Sequence, residues 1–235
     1  MIVLMKIGFF DSGMGGTTIL NVVKKVLPDE DYFYIADSKN CPYGEKSEDE
    51  LWRIVDGNTQ RLIDWGARII VVACNTATVH CIKKLREKYP EIKFVGTEPA
   101  IRLAAKMDVK KILVLATPAT VASERAAELR DKYQKPGQEI RFLGCPGLAD
   151  TIERTLRFSD YHALAPTKSE KQKICKVLNG LLLGLDFEPE VVVLGCTHYP
   201  LVKALIQEYF RDAVLIDGSA GVVKMVKMLA EKVGE

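Results

Sequence analysis

The 235-residue chain predicts an α/β fold of two pseudosymmetric domains, each built on a mainly parallel sheet. Three observations carry that expectation. Apolar runs rich in Val, Ile and Phe alternate with longer amphipathic segments, the succession of strands and helices around a parallel sheet. These runs fall into two sets of four, and each run closes on a short cluster of Gly, Ser, Thr, Cys or Asp. With 48% hydrophobic residues the chain can bury the core such a fold needs.

The first set opens with KIGFFDSG from Lys6, whose strand runs into Asp11, Ser12, Gly13, Gly15 and Gly16. Glycines there permit a tight turn and bring backbone N–H groups close to an anion at a helix start. Both GxGxxG and the GK[ST] of a Walker A loop are missing, so a small carboxylate suits this loop as well as a phosphate does. An acid at the end of an apolar strand is costly unless it caps a helix or does chemistry, and Asp11 or Ser12 can serve as the cap. YFYIADS from Tyr32, RIIVVACNT from Arg68 and KFVGTEP from Lys93 complete the set. The second set is KILVLATPAT from Lys111, EIRFLGCPG from Glu139, EVVVLGCTH from Glu190 and AVLIDGS from Ala213.

Helices are expected after Gly15, after Ser47 and after Glu170. The second has an apolar face of Leu51, Ile54, Val55, Leu62, Ile63 and Trp65 and a stop at Gly66. CPYGEKS, from Cys41, and the segment around Pro136 and Gly137 read as turns. RFSDYHALAPTKSE, from Arg157, reads as the longest loop.

Composition excludes several classes. Lys and Arg total 33 against 31 Asp and Glu, a formal charge of +2, which gives no field to hold nucleic acid. MIVLMKIGFFDSG at the start is interrupted by Lys6 and Asp11, lacks the basic n-region of an export signal and reads as a strand. No stretch has the length of a membrane span, so the chain is expected in the reducing cytoplasm with free thiols. The six cysteines show no CxxC pair and no zinc-like cluster with His80, His162 or His198, so no metal is expected.

Cys81 and Cys175 lie in helical patterns and read as filler. Cys41 and Cys145 precede prolines in loops and are assigned no role. Cys74 and Cys196 differ, because each ends the third strand of its set and is followed by hydrogen-bonding residues, Asn75 and Thr76 in one case, Thr197 and His198 in the other. A thiol in a polar, helix-starting loop sits where thiolate is favoured. His198 is a proton partner for Cys196 or a capping or core histidine. Ligands of open parallel sheets gather beyond the carboxyl ends of the strands, so the duplication predicts one cleft between the domains with a thiol on each wall.

Taken in order, DSGMGG (Asp11 to Gly16), PYG (Pro42 to Gly44), CNTA (Cys74 to Ala77), ATPAT (Ala116 to Thr120) and GCTHYP (Gly195 to Pro200) resemble the cofactor-independent aspartate/glutamate racemase family over nearly the whole chain. The resemblance implies interconversion of L- and D-glutamate, an aspartate or broader amino-acid racemase of the same family being the alternative, with no cofactor and with D-glutamate supplied to the bacterial cell wall. It implies a first domain of residues 1–97 completed by the last strand and helix, residues 211–235, and a second of residues 98–210. Cys74 and Cys196 become the acid and base; Asp11, His198 and Glu153 assist them, Glu153 by counting along a loosely matching GCPGLADTIE. Substrate contacts fall on Asp11, Ser12, Tyr43, Gly44, Asn75, Thr76, Thr197 and His198, and a homodimer is an open possibility. The rival reading is a cysteine hydrolase with Cys196 as nucleophile and His198 as base. It leaves Cys74 unexplained, and a side chain two positions along the chain is poorly placed to reach the thiol.

Overall fold

The computed structural model describes residues 4–159 and 162–233. Among them the elements run β1 (Lys6–Asp11), α1 (Thr17–Val26), β2 (Asp31–Ala36), α2 (Glu48–Trp65), β3 (Ile69–Val72), α3 (Asn75–Lys88), β4 (Lys93–Gly96) and α4 (Ile101–Lys106). They continue with β5 (Lys111–Ala116), α5 (Pro118–Val121), α6 (Glu124–Tyr133), β6 (Glu139–Gly144), α7 (Leu148–Thr155), β7 (Phe158–Ser159) and β8 (His162–Ala163). Last come α8 (Lys168–Leu182), β9 (Val191–Gly195), α9 (Lys203–Tyr209), β10 (Val214–Asp217) and α10 (Ser219–Val233). Contacts divide the chain into two compact units, Met1–Glu98 with Ser219–Glu235, and Pro99–Gly218.

The first unit has a parallel sheet in the order β2-β1-β3-β4. Its strands are apolar on both faces because helices cover both. Ile7, Phe9, Ile69 and Val71 meet Ile19, Leu20 and Val23 of α1 and Val222, Val226 and Ala230 of α10. Phe10, Ile70 and Val72 meet Leu51, Val55 and Leu62 of α2 and Ala77, Cys81 and Leu85 of α3. Helix α2 starts where the Ser47 side chain accepts the Glu50 N–H and stops at Gly66, whose φ of 98° closes it in the left-handed conformation.

The second unit repeats the plan on its own sheet, ordered β10-β9-β5-β6. Read from the other edge, this is the same second, first, third, fourth order of a four-strand set. Leu113, Leu115, Val192 and Leu194 face α7, α8 and α9. Ile112, Val114, Val191 and Val193 face α4 and α6.

Two expectations are corrected. Strand β10 pairs with β9, so the last strand belongs to the second unit and only α10 returns to the first; the crossing falls at Ser219 instead of residue 211. The reason lies in the side chains: Leu215 and Ile216 of β10 join the two opposite cores of the second sheet, whereas the apolar stripe of α10 fits beside α1. The expected loop from Arg157 contains the short antiparallel pair β7–β8, and α8 begins within it at Lys168, held by a reciprocal capping box between Thr167 and Glu170. Asp160 and Tyr161 of that loop, and Met1 to Val3 at the start, lie outside the described residues.

In both sheets the first and third strands are neighbours, and the helices that follow them leave for opposite faces. That is the topological switch point, beyond whose strand ends ligands of open α/β sheets bind. The loop after β1 and the loop after β3 meet there in the first unit, and those after β5 and β9 in the second. The paired motifs therefore sit at the switch points of their sheets.

Candidate active site

In the first unit the buried carboxylate of Asp11 organises the loop that follows it. Oδ1 accepts the Ser12 N–H at 2.8 Å and Oδ2 accepts the Gly16 N–H at 2.6 Å. Gly16 immediately precedes α1, so the carboxylate ties the strand end to the helix start, one of the two roles the sequence left open. A side chain at Gly16 would sit 2.9 Å from the Ala73 Cβ and 3.0 Å from the Asp11 Cβ, which explains why glycine is needed there. The Tyr34 hydroxyl closes the loop from below by donating to the Gly13 carbonyl at 2.7 Å.

Cys74 lies in extended backbone one residue before α3, at the N-terminus of a 14-residue helix. Its thiol points to the Ser12 hydroxyl, 3.8 Å away, so Ser12 and Cys74 share one corner. Asn75 and Thr76 form the first turn of α3 and are buried with it. Partial positive charge and free N–H groups at such a helix start favour a thiolate or a bound carboxylate.

Tyr43 and Gly44 lie in a short 3-10 turn after a cis Cys41–Pro42 bond. The Tyr43 phenol is committed inward: it donates to Asp37 Oδ2 at 2.7 Å and accepts from Asn58 at 3.0 Å. Burial and the Asp37 carboxylate push this phenol well above its ordinary value, so it stays a neutral donor. Asp37 also accepts from Asn40 and holds the Asp11 carbonyl through its own N–H at 3.0 Å. Neither Asp37 nor Asn58 was singled out from the sequence. The signal for Asn58 was present: it falls seven residues after Leu51 and four before Leu62, on the buried face of α2.

In the second unit Cys196 follows the last residue of β9. Its sulfur lies 3.7 Å from His198 Nδ1, and His198 Nε2 lies 2.9 Å from Glu153 Oε2 on α7. The imidazole is 1% exposed and the carboxylate side chain 8%, so a thiol, an imidazole and a carboxylate form one line shielded from water. An ionised Glu153 accepts the Nε2 proton and turns the Nδ1 lone pair toward the thiol; a protonated ring instead stabilises the thiolate. Two chain positions do suffice to bring His198 to Cys196, because the turn after β9 folds back with the Tyr199 N–H bonded to the Cys196 carbonyl at 3.1 Å. Thr197 is buried within this turn, and Thr117 caps the neighbouring α5.

The other cysteines are distributed as filler or as neighbours. Cys81 is core on α3, Cys41 and Cys175 are half-buried, and Cys145 is buried at the end of β6. Among the described residues no cluster of His, Cys, Asp and Glu has the makings of a metal site, and no helix is long and apolar enough to cross a membrane.

Each of the two doubly wound units carries a buried thiol with hydrogen-bonding neighbours at the switch point of its sheet, and the class of protein that carries this plan is a family of isomerases. The chain belongs to the Asp/Glu/Hydantoin racemase family, whose pattern matches residues 17–226. It is 40% identical to a glutamate racemase of Clostridium novyi over 220 residues, covering 92% of this chain and 80% of the relative. Escherichia coli glutamate racemase, solved in complex with L-glutamate and an activator, superposes with a TM-score of 0.82 at 31% identity, over 97% of this chain and 83% of that one. The Francisella tularensis enzyme in complex with D-glutamate gives 0.76 at 28% identity, over 97% and 81%.

Proposed function

We propose that the chain interconverts L- and D-glutamate by a two-base mechanism without a cofactor, acting in the cytoplasm and supplying D-glutamate for peptidoglycan. The observation that carries this reading is the recurrence of a buried thiol at the end of the third strand of each sheet, each with polar groups set to manage its proton. The names of the relatives support glutamate as the substrate.

Inverting an α-carbon means taking a proton from one face and returning one to the other. A thiolate on Cys74 or Cys196 accepts the α-proton, its electron pair forming the S–H bond while the C–H pair stays on carbon. The other thiol then gives its proton to the opposite face and becomes the thiolate. The two sulfurs exchange roles with the direction of reaction. Ser12 and Asp11 serve Cys74; His198, oriented by Glu153, serves Cys196. Backbone N–H groups near Ser12, Gly44, Asn75 and Thr197 hold the substrate carboxylates and the charge that develops beside the α-carbon. Because the Tyr43 phenol is held by Asp37 and Asn58, this residue contributes through the shape of its turn more than through its hydroxyl.

The Cys196–His198–Glu153 line also fits a cysteine hydrolase, which would leave the matching thiol at Cys74 unused. Incubation with L-glutamate in deuterated water separates the two: a racemase loses the α-proton signal and the optical rotation together, and a hydrolase changes neither. Replacing Cys74 or Cys196 singly with alanine is expected to lower racemisation by at least about a hundredfold, the usual worth of a positioned acid or base. Survival of inversion in either variant sinks the two-thiol mechanism. A panel of both enantiomers of glutamate and aspartate fixes the substrate.

A further inference from the structure

Tyr199 is fully buried in the second unit, and among the described residues no nitrogen or oxygen atom pairs with its hydroxyl, whose nearest polar company is the Cys145 thiol. A buried hydroxyl so poorly partnered is costly, and its persistence calls for a reason such as a part in the chemistry. The polar groups beside it are two thiols. Gly144 of β6 and Gly195 of β9 both pair with Ala116 of β5, so Cys145 and Cys196 stand one residue further on, on either side of the same strand. Alternation along each strand turns both side chains to the face covered by α7, and both join Tyr199 in one core cluster. The Cys145 thiol lies beside the phenol, and the Cys196 sulfur is close enough to act on it electrostatically.

We propose that Tyr199 is a positioning residue for Cys196: its O–H, which has only the weakly accepting Cys145 thiol for company, is the donor that the Cys196 sulfur engages when it becomes a thiolate. The hydroxyl then has only a thiol beside it in the neutral half of the proton-transfer cycle and a full charge to engage in the charged half. This rests on Cys196 acting as acid and base. Burial pushes the Cys145 thiol up to about 12 and raises the Tyr199 phenol well above its ordinary value, so both stay protonated. The titratable groups facing Cys196 are His198 on its own turn, Glu153 of α7 behind that ring, Cys145 beyond β6, and Tyr199 itself.

Tyr199→Phe keeps the ring and removes only the donor. The two enantiomers of the amino acid are equally stable, so kcat/KM must fall by the same factor in both directions, and the expected loss is about tenfold, one hydrogen bond to a charged group. The acid limb of the kcat/KM profile moves to higher pH, because the thiolate has lost a donor, while the thermal midpoint holds or rises with the poorly partnered hydroxyl gone. An acid limb that stays in place, or a loss matched by a fall in thermal midpoint, overturns the proposal in favour of simple packing. A second readout does not need racemisation: the pH midpoint for iodoacetamide alkylation of Cys196, measured in a Cys74→Ala background, rises on Tyr199→Phe, and an unmoved midpoint also overturns the proposal. If the single Cys196→Ala variant still racemises, the proposed function fails, whereas the alkylation result still reports on Tyr199.

Discussion

The second thiol has a longer escort than the first. Cys74 faces a hydroxyl, whereas Cys196 faces an imidazole that a buried carboxylate holds at 2.9 Å. Glu153→Gln keeps an acceptor for the Nε2 proton and removes its charge. It is therefore expected to lower kcat by about tenfold with little change in KM or thermal midpoint, and steady-state kinetics with a melting curve check this. An unchanged kcat would make Glu153 a mere spacer. Cys74 and Cys196 were legible in the sequence because apolar runs ending in a thiol and polar pair stand out. Glu153 was reachable only by counting along a resemblance, since an acid on an amphipathic helix ordinarily faces water. Asp37 was invisible for a similar reason: as one polar residue among several in a turn, nothing marked it as the acceptor of the Tyr43 phenol, the Asn58 amide and the Asn40 amide. Asp37→Ala frees that phenol and its turn, so KM should rise more than kcat falls, a split that initial-rate measurements resolve.

Strands were the most legible elements, because eight apolar runs with polar ends leave few other foldings. What escaped was ownership. The pattern of β10 says strand, but its place beside β9 is decided by Leu215 and Ile216 finding partners in two cores that do not exist in one dimension. Close packing at the strand ends also fixes small residues whose purpose composition hides. At Gly195 a Cβ would stand 2.9 Å from the Leu115 carbonyl oxygen and 3.2 Å from the Ala116 Cβ, both parts of the neighbouring strand β5. Gly195→Ala must therefore spread β9 from β5 next to Cys196, costing about 1–3 kcal/mol and several degrees of thermal midpoint, with activity falling further than stability. Gly57, in the middle of α2, has nothing within 4 Å of the point where an added Cβ would stand, so Gly57→Ala gains helix propensity, about 1 kcal/mol, and serves as the opposite-sign control in the same melting experiment.

At the scale of the molecule, each unit seals thiols in its own core, and that makes stability depend on alkaline pH. Burial pushes Cys81 of the first unit and Cys145 of the second from 9.0 to about 12. Below pH 9.0 a thiol is protonated in both folded and unfolded chains and contributes no pH dependence. Above it the unfolded chain loses the proton while the folded core keeps it, so the unfolded state binds fewer protons and stability falls, by about 1.4 kcal/mol per pH unit for each thiol, until the folded value is reached. Tyr32, raised from 10.0 to about 12, and Tyr43 steepen the fall in the first unit above pH 10.0. The two units can be read separately, because both tryptophans, Trp52 and Trp65, lie on α2 of the first unit. Denaturant melts followed by tryptophan fluorescence across this alkaline range should lose one proton's worth of slope in Cys81→Ala and keep it in Cys145→Ala if the units unfold independently. If both variants flatten the fluorescence slope equally, the two cores unfold as one cooperative body, and if neither does, the thiols are already ionised in the folded chain.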